Sequence, residues 1–164
     1  MLIIDNFGSH MKIIILRHGL ATYSNADRVL SDEGIKEVAN TAMHLAKHYR
    51  ITKCFCSPKT RAVQTATIAC EHFKFKEKIE YLKELTPSGD PALVISFVEA
   101  SCSEKDVVLI VSHLPLVETL AYEFTRRTKL PPQFDTACAL VLDYSGNLAH
   151  FNSFYAPFDD QVTY

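Results

Sequence analysis

The chain has 164 residues, 48% of them hydrophobic and 22% charged, with a formal net charge of −2. That balance suits one soluble globular domain whose core needs no disulfide or metal staple. It excludes a general electrostatic pull toward nucleic acid or an anionic membrane, so any bound anion must be held by a local cluster of positive groups.

The stretch Gly8-Ser9-His10-Met11 reads like the scar of a cleaved expression tag. Residues 1–10 are therefore expected to be a tag remnant, and 11–164 a single domain. Residues 12–16, Lys-Ile-Ile-Ile-Leu, form a continuous apolar run, as in a strand buried on both faces. Ser31 then caps a helix with Asp32 and Glu33 in its first turn. Its apolar face is carried by Ile35, Val38, Ala39, Ala42, Leu45, Ala46 and Tyr49.

A second strand is predicted over 53–56, followed by a helix that starts near Pro58 and runs to about residue 73. Residues 79–85 alternate like a third strand, ending at the turn signal Thr86-Pro87-Ser88-Gly89-Asp90. A helix over 91–101 leads to a second fully buried strand, Val107-Val108-Leu109-Ile110-Val111. Leu116, Val117, Leu120, Ala121 and Phe124 mark another amphipathic helix. Two segments flanking Ser145-Gly146-Asn147 read as a closing antiparallel hairpin. This alternation predicts an α/β fold: a three-layer α/β/α sandwich with a mostly parallel central sheet and an antiparallel edge strand.

Cys54, Cys56, Cys70, Cys102 and Cys138 are odd in number, and no pair has zinc-finger spacing. Cys54 and Cys56 flank Phe55 on a predicted strand, so they share a face and read as small buried apolar residues. Free thiols point to a reducing compartment, and the cytoplasm is expected. No apolar run approaches the ~18 residues of a spanning helix.

Arg17 and His18 lie where the first buried strand ends, His113 where the second ends, and Arg61 in the first turn after another strand. Ligands of open α/β sheets bind beyond the carboxyl ends of the strands, so these distant segments converge. Two guanidinium forks and an imidazole can surround the non-bridging oxygens of a phosphoryl group and stabilise the charge spread over them. A neutral His18 imidazole beside such cations is a competent nucleophile. Gly19 leaves room for a tight turn and for close approach of substrate. Arginines supply the positive charge, so neither a metal nor another cofactor is expected.

With these residues in place, Arg17-His18-Gly19 resembles the signature of the histidine phosphatase superfamily, which includes the cofactor-dependent phosphoglycerate mutases. Leu30-Ser31-Asp32-Glu33-Gly34 is similar to its next motif. The run from Ser57 to Thr65 resembles its second arginine motif, and Ser112-His113 its second histidine. The segments Glu84–Asp90 and Ser112–Val117 look like the small SixA-type phosphohistidine phosphatases. The resemblance implies a phosphoglycerate mutase-like fold, with His18 as nucleophile and Arg17, Arg61 and His113 as the phosphate pocket. It also implies a protein-borne phosphohistidine as substrate, on a histidine phosphotransfer domain or a phosphotransferase-system carrier. A monomer is expected, with no nucleic-acid or membrane partner.

The larger superfamily members protonate their leaving group with an acid from an inserted region, for which this chain has little room. Glu84 and Asp90 are the nearest candidate acids, and either could instead cap a helix or hold the turn. Imidazole leaves readily without such help, its conjugate acid having a pKa of about 6.5. A small-molecule phosphomonoesterase or mutase on the same scaffold is the alternative, and a non-catalytic phosphate-binding module a more distant one. A cysteine-phosphatase loop does not fit, because only four residues separate Cys56 from Arg61, one too few.

Overall fold

The computed structural model describes residues 10–158 and 161–164. Residues 1–9 of the expected tag remnant lie outside the described residues. In chain order the elements are β1 Met11–Arg17, β2 Ala21–Ser24, β3 Asp27–Leu30, α1 Asp32–Ala46, β4 Lys53–Cys56 and α2 Thr60–Phe73. They continue with β5 Glu80–Tyr81, α3 Pro91–Ser101, β6 Val107–Ser112, α4 Leu116–Phe124, β7 Ala139–Ser145, β8 Leu148–Tyr155 and β9 Val162–Thr163.

The main sheet runs β5-β4-β6-β1-β7-β8-β9, and β2 pairs with β3 in a separate ribbon. Its first four strands are parallel and the rest antiparallel. The antiparallel part is thus broader than the predicted edge strand. Gly146 and Asn147 both have positive φ, 61° and 67°, and link Ser145 to its partner Leu148. Such a two-residue loop keeps consecutive strands side by side and antiparallel.

Alternation along the strands sorts the core into two layers. Ile13, Ile15 and Ile110 face Val94 and Val98 of α3 and Leu120 and Phe124 of α4. Ile14, Leu16 and Val111 face Ala42 and Leu45 of α1 and Ala66 and Ala69 of α2. The three-layer α/β/α arrangement follows from this two-sided burial. Cys54, Cys56 and Cys70 are packed together in the second layer. At the start of α1, the Ser31 hydroxyl accepts from the Gly34 N–H at 3.0 Å, as a cap should.

One predicted element differs. The strand expected over residues 79–85 is reduced to Glu80–Tyr81 and followed by a 3₁₀ turn, Lys83–Leu85. The Leu82 N–H still reaches the Cys56 carbonyl at 2.9 Å, but the Leu85 N–H turns back to the Leu82 carbonyl. That turn places the Leu85 carbonyl 2.6 Å from the buried Ser112 hydroxyl, which donates to it. The β2–β3 ribbon, turning through Asn25 at φ 59°, was not among the predicted elements.

Candidate active site

Three adjacent parallel strands stop together. Arg17 of β1 is level with Ser112 of β6, and Cys56 of β4 with Val111. The next residues continue the ladder briefly: the His18 N–H donates to the Ser112 carbonyl and the Ser57 N–H to the Val111 carbonyl, both at 3.0 Å. His18, His113 and Ser57 therefore emerge at one end of the sheet. Arg61 joins them from the first turn of α2.

His18 is 4% exposed. Its Nδ1 lies 2.7 Å from the Gly19 carbonyl. A carbonyl only accepts, so Nδ1 carries the proton and Nε2 the lone pair. Arg61 donates from Nε to that Nε2 at 3.4 Å. Burial chiefly, with help from the charges of Arg61, Arg17 and Arg28, lowers the His18 pKa to about 4. The imidazole is neutral at physiological pH.

Gly19 has a different physical reason from the one its sequence position suggests. A Cβ there would lie 2.7 Å from both the Gly34 carbonyl oxygen and Val38 Cγ2. Its bareness lets the loop after β1 press against α1, while its carbonyl orients His18. The Gly19 N–H donates to Thr65 Oγ1 at 3.1 Å, and that hydroxyl donates to the Arg61 carbonyl at 2.8 Å. Thr65 thus ties the loop after His18 to the turn bearing Arg61.

His113 is 1% exposed, and its ring stands edge-on to His18 with centroids 5.0 Å apart. Its Nε2 is 2.8 Å from the Ser57 hydroxyl, which also accepts from the Lys59 N–H at 3.2 Å. Nδ1 is buried without a hydrogen-bond partner among the described residues. Burial first, then His18 and the nearby cations, lowers its pKa to about 3.

Arg17 donates from Nη1 to the Phe134 carbonyl at 3.0 Å, and Phe134 is held in turn by its N–H to Glu118 Oε2. Arg17 Nε is buried and unpaired among the described residues. Burial lowers the pKa of both Arg17 and Arg61, yet each remains a guanidinium at neutral pH. The His18 carbonyl accepts from the Ala137 N–H at 3.0 Å, and the Ala137 carbonyl accepts from the buried Thr41 hydroxyl at 2.7 Å. Ala137 adopts a left-handed φ of 59°, a strained setting for a residue with a Cβ.

Neither candidate acid forms an ion pair with this cluster among the described residues. Asp90 caps α3, its Oδ1 accepting from the Ala92 N–H at 2.9 Å. Glu84 sits in the 3₁₀ turn. Among the described residues no carboxylate forms an ion pair with His18, His113, Arg17 or Arg61. Nor do those residues contain three or more His, Cys, Asp or Glu side chains grouped to hold a metal ion. Cys56 is fully buried and its thiol pKa is raised by that burial, opposite to what a thiolate nucleophile needs. Ser57 and Thr65 lie inside the recognised arginine motif without an assigned role. The i, i+4 spacing of Arg61 and Thr65 could have flagged the latter.

Residues 13–86 match the family model of the histidine phosphatase superfamily (branch 1). The phosphohistidine phosphatase SixA of Escherichia coli is 35% identical over 144 residues, covering 84% of this chain and 89% of that protein. The chain belongs to the histidine phosphatase superfamily. A SixA homolog of Haemophilus influenzae is 31% identical over 149 residues, covering 84% of this chain and 90% of its own. The solved structure of the protein histidine phosphatase SixA complexed with tungstate superposes with a TM-score of 0.83 at 32% identity, covering 90% of this chain and 97% of that one. Phosphoglycerate mutase from Bacillus anthracis shares the superfamily fold, with a TM-score of 0.66 at 15% identity over 89% of this chain and 94% of its own. In this member of the superfamily the buried imidazole pair and Arg17 occupy the strand ends described above, and Arg61 the first turn of α2.

Proposed function

We propose that this chain is a protein phosphohistidine phosphatase, with His18 as nucleophile and Arg17, Arg61 and His113 gripping the phosphoryl oxygens. The observation that carries this reading is a site rich in cations and free of a paired carboxylate. Such a site stabilises a phosphoryl group in transfer but lacks an obvious acid to protonate a leaving alkoxide.

His18 Nε2 attacks phosphorus in line. The P–N bond of the substrate breaks as a new P–Nε2 bond forms, and the departing imidazole, protonated beforehand on its other ring nitrogen, leaves as the neutral base. Water then cleaves the His18 phosphoramidate, returning neutral imidazole and releasing inorganic phosphate. The low pKa of His18 keeps its lone pair available. A bound phosphoryl dianion reverses the local charge and raises the pKa of both imidazoles, favouring His113 as a hydrogen-bond donor to it. The cations supply the charge, and turnover should survive EDTA.

Residues 11–164 act as one domain in this reading, as a monomer. The substrate is a histidine phosphotransfer domain or a phosphotransferase-system carrier. The five unpaired cysteines suit the cytoplasm, and no described helix is long and apolar enough to cross a membrane.

The test is kcat/KM for a phosphohistidine carrier, free phosphohistidine, an aryl phosphate and an alkyl phosphate in one buffer. The carrier should be best, the aryl ester modest and the alkyl ester nearly inert. Efficient alkyl-ester hydrolysis would put a small-molecule phosphomonoesterase in its place and return Glu84 or Asp90 to consideration as the acid.

A further inference from the structure

The β2–β3 ribbon holds a cation that the four-residue pocket does not include. Arg28 lies on β3 opposite Tyr23, half-buried. Alternation along β3 puts it on the same side as Leu30, which is buried against Val38 and Ala137. Tyr23 on the same face is exposed, so the side chain lies at the rim between the body of the domain and solvent.

Two bonds fasten the ribbon to α2, on either side of Arg28. Asp27 Oδ2 accepts from the Thr60 hydroxyl at 2.5 Å, and the Leu30 N–H donates to Gln64 Oε1 at 2.8 Å. Thr60 and Gln64 bracket Arg61 on that helix. The nearest acid in sequence, Asp27, is committed elsewhere: its other oxygen accepts from the Arg28 backbone N–H at 2.7 Å. Among the described residues the Arg28 guanidinium makes no hydrogen bond and no ion pair. Its Cζ lies over the Tyr23 ring, 5.9 Å from the centroid.

Asp27 offsets part of the repulsion between Arg28 and Arg61, and an anion seated between the two guanidiniums would offset more of it. The charge of Arg28 acts on all four pocket groups, and for Arg61 it is the strongest adverse charge. We propose that Arg28, carried on the β2–β3 ribbon, is a further phosphoryl-binding residue that closes the Arg61 side of the pocket. It donates to a non-bridging oxygen as phosphorus passes between nucleophile and leaving group. This assignment rests on the phosphatase reading above.

Orthovanadate, which adopts the five-coordinate geometry of phosphoryl transfer, tests it without reference to the natural substrate. Arg28→Met keeps the stem and removes the charge, while Arg28→Lys keeps the charge and removes the fork. The Met variant should bind vanadate about ten- to hundredfold more weakly, as expected on losing a charge-assisted hydrogen bond, with the Lys variant between it and wild type. Melting temperatures should match wild type. Vanadate affinity within about twofold of wild type in the Met variant would overturn the proposal. So would equal losses in both variants accompanied by a lowered melting temperature, which would mark a structural anchor. If wild type ignores phosphohistidine carriers while Arg28→Met still weakens vanadate binding, the substrate reading fails and the anion contact stands.

Discussion

The two ends of the parallel strands treat charge in opposite ways. At the ends where they begin, charged side chains are paired. Lys12 is joined to Asp143, Lys53 lies 3.7 Å from Asp106, and Tyr144 donates to Glu99. Arg127 is bonded to Glu123, and Arg126 donates to the Asn147 carbonyl. A hollow of about 450 Å³ opens there between α3, α4 and the β7–β8 turn, roomy but lined by groups that satisfy one another. At the ends where the strands stop, Arg17 Nε and His113 Nδ1 are buried and unpaired among the described residues, and cations face cations. Room does not mark the site in this molecule, nor does unmet polar demand alone, since His10 Nδ1 before β1 and the Tyr155 hydroxyl are also buried and unpaired among the described residues. The site is where that demand falls on clustered cations and imidazoles. A buried polar group without a partner costs stability and persists where a ligand supplies the partner.

The sharpest break of that contrast is His18→Ala. Phosphate release should fall by several powers of ten while the circular dichroism spectrum is unchanged, since a nucleophile leaves nothing to replace it. A folded variant keeping a tenth of wild-type turnover would remove His18 from its role. Arg61→Ala and Arg17→Ala should each lower kcat by about a hundred- to thousandfold, the scale for one preorganised donor to a transition-state oxygen. Single-turnover measurements would separate that loss from weaker binding.

Acid should affect the stopping ends first. The pKa of His18 is depressed on folding to about 4, so the unfolded chain binds its proton more tightly than the folded one. The stabilisation is complete above the unfolded value of about 6.5 and is lost as pH falls from there toward 4. Imidazole NMR titration should place the His18 midpoint near 4 in the free protein. A midpoint near 6.5 would contradict its burial among cations. The smallest effect belongs to the paired ends. Replacing Lys12 or Asp143 should alter unfolding free energy by about 1 kcal/mol or less, as partly exposed ion pairs do, and leave kcat/KM unchanged.

How legible each part was in the sequence follows from how locally it is determined. The apolar runs of β1 and β6 and the helical spacing of α4 are dictated by burial, and the structure places them within a residue or two. By contrast α1 ends at Ala46, three residues short of Tyr49, and leaves Ile35 exposed. The strand ends put Arg17, His18 and His113 together for the same reason. The ribbon was not legible because each strand is only four residues long: Ala-Thr-Tyr-Ser is largely exposed and in Asp-Arg-Val-Leu only Leu30 is fully buried, too little for a period of two to stand out. Its one local signal is Asn25, a residue suited to a left-handed turn. The strand expected over residues 79–85 alternates correctly but lies at a sheet edge. There a tertiary bond, Ser112 to the Leu85 carbonyl, prevails over strand propensity. The partners of Arg17 and His18 at Phe134 and Ala137 are backbone groups, and side-chain identity says nothing about where a carbonyl or an N–H will point.

That last pair of contacts bears on the birth of the protein at the ribosome. The carbonyl of His18 is held by the N–H of Ala137, and its own N–H by the carbonyl of Ser112. Both partners are synthesised long after the histidine itself. A nascent chain that has not yet released Ala137 has no fixed backbone behind its imidazole, and β7 has not yet closed the open side of β1. Translation therefore delivers the His18 imidazole early and the backbone that aligns it late.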